Sequence, residues 1–206
     1  MSHEADLPFL PYGRQTINER DIEAVVEALR APFLTTGPRV AAFEEAIAEH
    51  VDARFGVAIS NGTAALHAMC DALNLAEDAE VIVPAVTFLA TANSVLYVGA
   101  RPVFADVDPE SGLMTPESFE RAITPKTAAV IPVHLAGNPV DMKGIKAVAQ
   151  RHQIRVIEDA AHAVGAREEG GAIGACLNSE MASFSFHPVK HITTGEGGMV
   201  MTNDER

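Results

Sequence analysis

The sequence predicts an α/β protein of three layers, with helices on both faces of a mostly parallel central sheet. Three observations predict it. Short apolar runs alternate with amphipathic segments of helical period. Those runs are apolar at nearly every position, as strands covered on both faces are. Hydrophobic residues make up 48% and charged residues 21% of the 206-residue chain, a balance that fills one large core without long disorder.

The elements follow in order. Residues 18–30 (NERDIEAVVEALR) read as a helix with Asn18 as its N-cap and acids in its first turn. LTTGP at 34–38 reads as a turn, and 39–51 as a second amphipathic helix. FGVAIS at 55–60 is a strand ending at Asn61 and Gly62, and a helix follows at once over 63–73. A strand at 80–83, a helix over 87–98 and a strand at 102–106 come next, then a loop holding Pro109 and Gly112 and a short helix at 116–122. Residues 128–133 read as a buried strand, 141–152 as a helix and 154–159 as another strand. Strands at 181–186 and 198–202 flank a glycine-rich loop. The chain stops at Arg206 with no closing element, so the expectation is a fold truncated at its C-terminus.

Composition narrows the function. A net charge of -13 gives no general attraction to a nucleic-acid backbone or an anionic membrane, so any phosphate must be held locally. Cys70 and Cys176 are the only cysteines, which makes a reducing cytoplasm the default. The first residues, MSHEADLPFLPYG, are polar and proline-rich, unlike a signal peptide. No apolar run reaches the roughly 18 residues that span a bilayer. No GxGxxG follows a strand and no GxxxxGK[ST] is present.

In open α/β sheets ligands sit at the carboxyl ends of the strands. The candidate residues are therefore 60–63, 84–88, 134, 159–162 and 185–190. Gly62 and Thr63 open a helix directly after a strand, where free amides and the helix dipole suit a phosphate; the same residues, with Asn61, also suit a plain N-cap. Asp159 ends an apolar strand, and a buried carboxylate needs a partner. A protonated pyridine nitrogen is one such partner, and a following helix to cap is another. His162 lies three residues on, placed either beside a ring oxygen or on the surface. Lys190 sits between two strands near Pro188 and several hydroxyls, where partial desolvation would lower its pKa as imine-forming lysines require; a solvated surface lysine is the alternative. Ser185, at the end of the preceding strand, can reach a phosphate. Phe88 is an aromatic at a strand end, suited to lie on a planar ring or to fill the core. His134, His162, His187 and His191 invite a metal reading, but Pro188 and the Thr-Thr-Gly run argue for a loop at 187–191, and no HExxH or paired-cysteine motif exists, so the expectation is no metal.

These residues together resemble the DegT/DnrJ/EryC1/StrS sugar aminotransferases, within the fold-type I pyridoxal 5'-phosphate (PLP) enzymes. The matching segments are LTTGPRVAAFEEAIAEHV, SNGTAALHAM, VIVPAVTFLATANSVLYVGARPVFADVD, IEDAAHAVGA and SFHPVKHITTGEGGMVMTND. The resemblance implies that residues 1–206 form the PLP-binding large domain, an N-terminal segment plus most of the α/β core, without the smaller C-terminal domain. It implies Lys190 as the lysine that forms an imine with PLP, Asp159 as partner of the pyridine nitrogen, and His162 beside the ring hydroxyl. Gly62, Thr63 and Ser185 match phosphate contacts, Phe88 the aromatic covering the ring, and Thr36 and Gly37 the loop bordering the sugar.

Within the family, SFHPVKHITTGEGG is most similar to the UDP-4-amino-4,6-dideoxy-N-acetyl-β-L-altrosamine transaminases of pseudaminic acid biosynthesis. That implies a cytoplasmic homodimer, an aminotransferase that uses L-glutamate to aminate C4 of a UDP-linked 4-keto-6-deoxy-N-acetyl sugar. The alternatives are a different nucleotide-linked keto-sugar, such as a perosamine precursor, or an inactive truncated fragment. Sugar dehydratases of the same fold replace the lysine with His, and Lys190 argues against them. A non-catalytic remnant and a histidine-based metal hydrolase are the remaining rivals.

Overall fold

The computed structural model describes residues 9, 11 and 13–205, so most of the N-terminal segment read as lacking a signal peptide, and Arg206, lie outside the described residues. Helix α1 (Glu19–Arg30) opens with a reciprocal cap. The Asn18 side chain accepts from the amides of Arg20 and Asp21, and Asp21 accepts from the Asn18 amide at 2.8 Å. Helix α2 (Pro38–Val51) begins at a proline, whose missing N–H costs nothing in the first turn.

From β1 to β5 the elements alternate as the sequence predicts: β1 (Phe55–Ile59), α3 (Gly62–Ala72), β2 (Glu80–Pro84), α4 (Leu89–Tyr97), β3 (Arg101–Ala105), α5 (Pro116–Ala122), β4 (Thr127–Val130), α6 (Met142–His152) and β5 (Arg155–Asp159). The two-residue strands β6 (Arg167–Glu168) and β7 (Gly171–Ala172), absent from the sequence reading, come next, followed by the expected β8 (Met181–Ser185) and β9 (Gly198–Thr202). The seven-stranded sheet has the order β1-β9-β8-β5-β4-β2-β3. The β2–β3, β2–β4, β4–β5 and β5–β8 pairs are parallel, and β9 runs antiparallel to both β1 and β8. The sheet is thus mostly parallel, with the carboxyl ends of β1, β2, β4, β5 and β8 on one edge.

Side-chain alternation along the strands explains the layers. Val81, Val83, Ile131 and Ile157 pack with Leu66, Met69 and Val95 of α3 and α4. Their neighbours Ile82, Val130 and Val156 pack on the other face with Phe119 of α5 and with Met142 and Ile145 of α6. Farther along that second face, Ala182 and Phe184 meet Ile47 and Val51 of α2. Phe119, Phe184 and Phe186 are wholly buried, each stabilising the fold by roughly 1.5–3 kcal/mol.

Boundaries differ from expectation where prolines and short pairings intervene. The strand read over 128–133 leaves regular pairing after Val130; the next residues continue by single bonds, Ile131 N–H to Ile82 O at 2.8 Å and Asp159 N–H to Pro132 O at 3.0 Å. Pro132 has no N–H to continue the ladder. The strand read over 181–186 ends one residue early, although the Phe186 amide still reaches Gly197 O at 2.8 Å.

Candidate active site

Three strand ends build the site. At the first, α3 starts immediately after β1, and the choice of cap resolves toward Asn61: its side chain accepts from the Ala64 amide at 2.8 Å. The amides of Gly62 and Thr63 precede that bond, at the positive end of the helix. Ser185, 7% exposed, faces this turn from the end of β8. A Cβ placed on Gly62 would lie 2.9 Å from Ser185 Cβ, and one on Gly198 would lie 2.4 Å from the Asn61 carbonyl. Only glycines let the helix start and the two strands approach so closely.

At the second strand end stands Asp159, 4% exposed. No helix follows it to be capped; the chain turns instead, and Asp159 Oδ1 accepts from the Ala161 amide at 3.2 Å. Oδ2 accepts from the Thr91 hydroxyl at 2.7 Å. The backbone of Asp159 is fixed as well, its amide bonded to Pro132 O and its carbonyl to the His134 amide at 3.1 Å. A carboxylate offers about four acceptor sites, and two are taken, so Asp159 retains capacity for a further donor.

The loop 186–197 between β8 and β9 is the third part. Its short return makes β9 antiparallel and hangs Lys190 over the sheet edge. Lys190 is held in a turn by its amide on His187 O at 2.9 Å. The Thr193 hydroxyl donates to Phe186 O at 2.9 Å, and the Gly195 amide, in a left-handed residue (φ 81°), returns to Thr193 Oγ1 at 3.0 Å. Residues 187–191 form a turn flanked by bends and not a helix, as the proline implies.

Lys190, Asp159 and His162 act on one another electrostatically. Burial pushes the half-buried Lys190 amine below the ordinary lysine range, against the opposing pull of the Asp159 carboxylate. Burial also lowers the His162 pKa, reinforced by the charges of Lys190 and His191 and opposed by Asp159. His162 Nδ1 accepts from the Ala136 amide at 3.3 Å, which suits a neutral ring. Phe88 precedes the first turn of α4 and is 70% exposed, so it is not a core residue.

Thr36 and Gly37 stand apart. They precede α2, with Thr36 in the left-handed region (φ 50°), and among the described contacts make none with Asp159, His162 or Lys190. Their helix reaches the site's surroundings through Phe43, edge-on to Phe186 at 5.0 Å.

Sequence reading places 84–88 and 134 among the candidates but does not foresee two pairings. One is the hydroxyl pair Thr87 and Thr91, 2.8 Å apart; their spacing of four at a helix start was the available signal. The other lies behind Asp159: His134 Nε2 is 2.8 Å from Glu158 Oε2, His134 Nδ1 accepts from the Val140 amide at 3.1 Å, and Ser179 donates to Glu158 Oε1. Because Nδ1 accepts, Nε2 carries the hydrogen and donates to Glu158. His134 is therefore a structural strut. An open groove of about 1130 Å³, lined by Arg54, Leu73, Arg155 and Glu180, lies at the opposite edge of the sheet from Asp159 and Lys190.

Comparison with known proteins gives the following. The model of the DegT/DnrJ/EryC1/StrS aminotransferase family matches residues 15–206. An aminotransferase from Psychrobacter cryohalolentis is 42% identical with a TM-score of 0.90, over 96% of this chain and 50% of that one. Helicobacter pylori PseC, an aminotransferase involved in the biosynthesis of pseudoaminic acid, is 31% identical with a TM-score of 0.89, over 95% and 52%. A candidate sugar aminotransferase from Streptococcus pneumoniae, solved in PLP and PMP forms, is 32% identical with a TM-score of 0.90, over 95% and 53%. The chain spans about half the length of these structures.

Proposed function

The chain belongs to the DegT/DnrJ/EryC1/StrS aminotransferase family, and from that premise we propose that it is a PLP-dependent aminotransferase acting on a nucleotide-linked keto-sugar. The observation that carries this reading is the half-buried Lys190 in the loop that follows β8, the strand paired with β5, which ends in the buried Asp159 carboxylate. The donor set fits PLP: an amine for its aldehyde, a carboxylate with spare acceptor sites for its ring nitrogen, and a helix N-terminus beside Ser185 and Thr63 for its phosphate.

PLP, when bound, supplies an electron sink for the carbanion formed at the amino donor's Cα. Asp159 holds the proton on the ring nitrogen. Lys190, its amine pushed down by burial, would take the proton from the amino donor's Cα at Nζ and, in the return half of the exchange, would deliver a proton to the sugar carbon that receives the amine. His162, kept neutral, donates or accepts at the ring hydroxyl. Phe88 would cover one face of the ring. Thr36 and Gly37 border the sugar.

For substrate we take L-glutamate as donor and C4 of a UDP-linked 4-keto-6-deoxy-N-acetyl sugar as acceptor, in a pathway of the pseudaminic acid type. Support comes from the SFHPVKHITTGEGG segment and the fold shared with PseC. A structure with a TDP-sugar product, DesI, is also similar, at 38% identity over 94% of this chain. The working unit is a homodimer, for which exposed Leu89, Leu96, Tyr97 and Phe104 offer an apolar face. Two free, buried cysteines suit a reducing cytoplasm.

The test is the visible absorbance of the purified protein with added PLP, beside Lys190→Ala. A yellow band present in the first and absent in the second supports the reading; no band in the first overturns it. Amination of UDP- against TDP-linked 4-keto-sugars then selects the nucleotide.

A further inference from the structure

Asp159 is the most constrained acid in the site, and its constraint comes from a direction the proposed chemistry does not use. Its Oδ2 accepts from Thr91, a residue with no exposure at all, at 2.7 Å. The Thr91 hydroxyl has one hydrogen, and an ionised carboxylate can only accept. That hydrogen is therefore committed to Asp159, and the 2.8 Å contact between Thr87 and Thr91 must run with Thr87 donating. The result is a directional relay: Thr87 hydroxyl to Thr91 hydroxyl to Asp159 carboxylate. Thr87 is half-buried and adjoins Phe88 in the chain. The relay joins the backbone carrying the proposed ring cover to the carboxylate proposed to face the ring nitrogen.

The anchorage of Thr91 is unusual for a helical threonine. Its hydroxyl does not fold back on its own helix. It reaches across from α4 to the end of β5, over 68 positions of sequence. Its backbone is fixed on both sides: the amide bonds to Phe88 O at 3.1 Å, and the carbonyl accepts from the Ser94 hydroxyl at 2.9 Å. A donor so placed sets the plane of the carboxylate and stabilises its negative charge, since hydrogen bonds to charged groups are the stronger kind.

We propose that Thr91 is a positioning residue for Asp159, and that Thr87 is the second link, so that the two hydroxyls hold the carboxylate anionic and turned toward the cofactor's ring nitrogen. This inference rests on the PLP reading above. Without the Thr91 hydroxyl the carboxylate becomes the stronger base and draws the proton from the ring nitrogen. The ring loses positive charge, and the linkage to Lys190 keeps its own proton to higher pH.

The experiment compares wild type with Thr91→Val, which keeps shape and removes the hydroxyl, and with Thr91→Ser, which keeps the hydroxyl. PLP affinity is read by titration of the visible band, and the pH of its colour change by spectroscopic titration. Thr91→Val is expected to bind PLP about tenfold more weakly and to shift the colour change upward by about one pH unit, while Thr91→Ser restores both. A folded Thr91→Val with the wild-type midpoint overturns the inference, whether or not affinity falls, because a purely structural threonine would leave the midpoint alone. If Thr91→Val does not fold, Thr87→Val decides: a smaller shift in the same direction supports the relay, and a wild-type midpoint overturns it. Wild-type protein that develops no colour with PLP overturns the cofactor reading itself, a distinct result.

Discussion

Gly62 and Ser185 stand so close that a single added carbon on the glycine would come within 2.9 Å of Ser185 Cβ and 3.3 Å of its hydroxyl. The start of α3 and the end of β8 thus meet through a helix amide on one side and a serine hydroxyl on the other. Both groups can donate to an anion. Gly62→Ala adds that carbon, and the backbone or Ser185 must shift. The expected outcome is a folded protein whose PLP affinity falls about tenfold or more, roughly 1.4 kcal/mol. Titration of the visible band checks it. Pyridoxal without its phosphate should bind the variant and the wild type alike, because the lost contact is to the phosphate.

His162 gives a pH dependence with a definite sign. Its pKa is lowered from the ordinary 6.5 by burial, then by Lys190, with Asp159 opposing and His191 adding. The unfolded chain therefore binds more protons than the folded one as pH falls through 6.5, and the folded state loses stability there, down to the folded pKa. Above 6.5 the effect is absent. His162→Gln removes the titration, so chemical denaturation between pH 7 and pH 5 should show wild type losing more stability than the variant. Equal losses would show that the ring protonates freely in the folded state.

Phe88 separates a ligand role from a structural one. At 70% exposure it contributes little to the core. Phe88→Ala should leave the unfolding free energy within about 0.5 kcal/mol of wild type, as ordinary surface substitutions do. PLP affinity should fall, because ring stacking is worth about 0.5–1.5 kcal/mol beyond burial. A loss of stability with unchanged affinity would return Phe88 to a packing role.

What the sequence made legible follows from topology. Asp159, Ser185 and Lys190 are candidates in the sequence because each lies at or just beyond an apolar run, and parallel strands deliver such ends to one edge whatever the details of packing; their roles come only from the family resemblance. The capping box at Asn18 was legible in part for the same local reason: the cap and its acid lie within one turn. Thr91 was not, since its partner is chosen by how α4 crosses the end of β5, a tertiary fact. The β6–β7 pair, two residues a side, is too short to show alternation. Gly174, in the left-handed region (φ 95°) with the Phe184 ring 2.4 Å from where a Cβ would sit, reads in sequence as an ordinary loop glycine. His134 offered a metal or ligand reading until the fold turned both its nitrogens inward.

That strut supplies the last prediction. His134 and Glu158 are buried at 0% and 3% exposure, and their bond crosses from the chain after β4 to β5, directly beside Asp159. His134→Ala leaves the Val140 amide and one Glu158 oxygen without partners, and it opens a cavity. Each buried orphan costs about 1–3 kcal/mol, so the variant should lose about 3 kcal/mol or more in denaturant unfolding. Glu158→Ala should cost a similar amount by freeing His134 Nε2 and Ser179. The double variant should lose less than the sum of the two, because each single change already breaks the same bond. Strict additivity would mean that the two residues stabilise the fold independently and that the strut is not a unit.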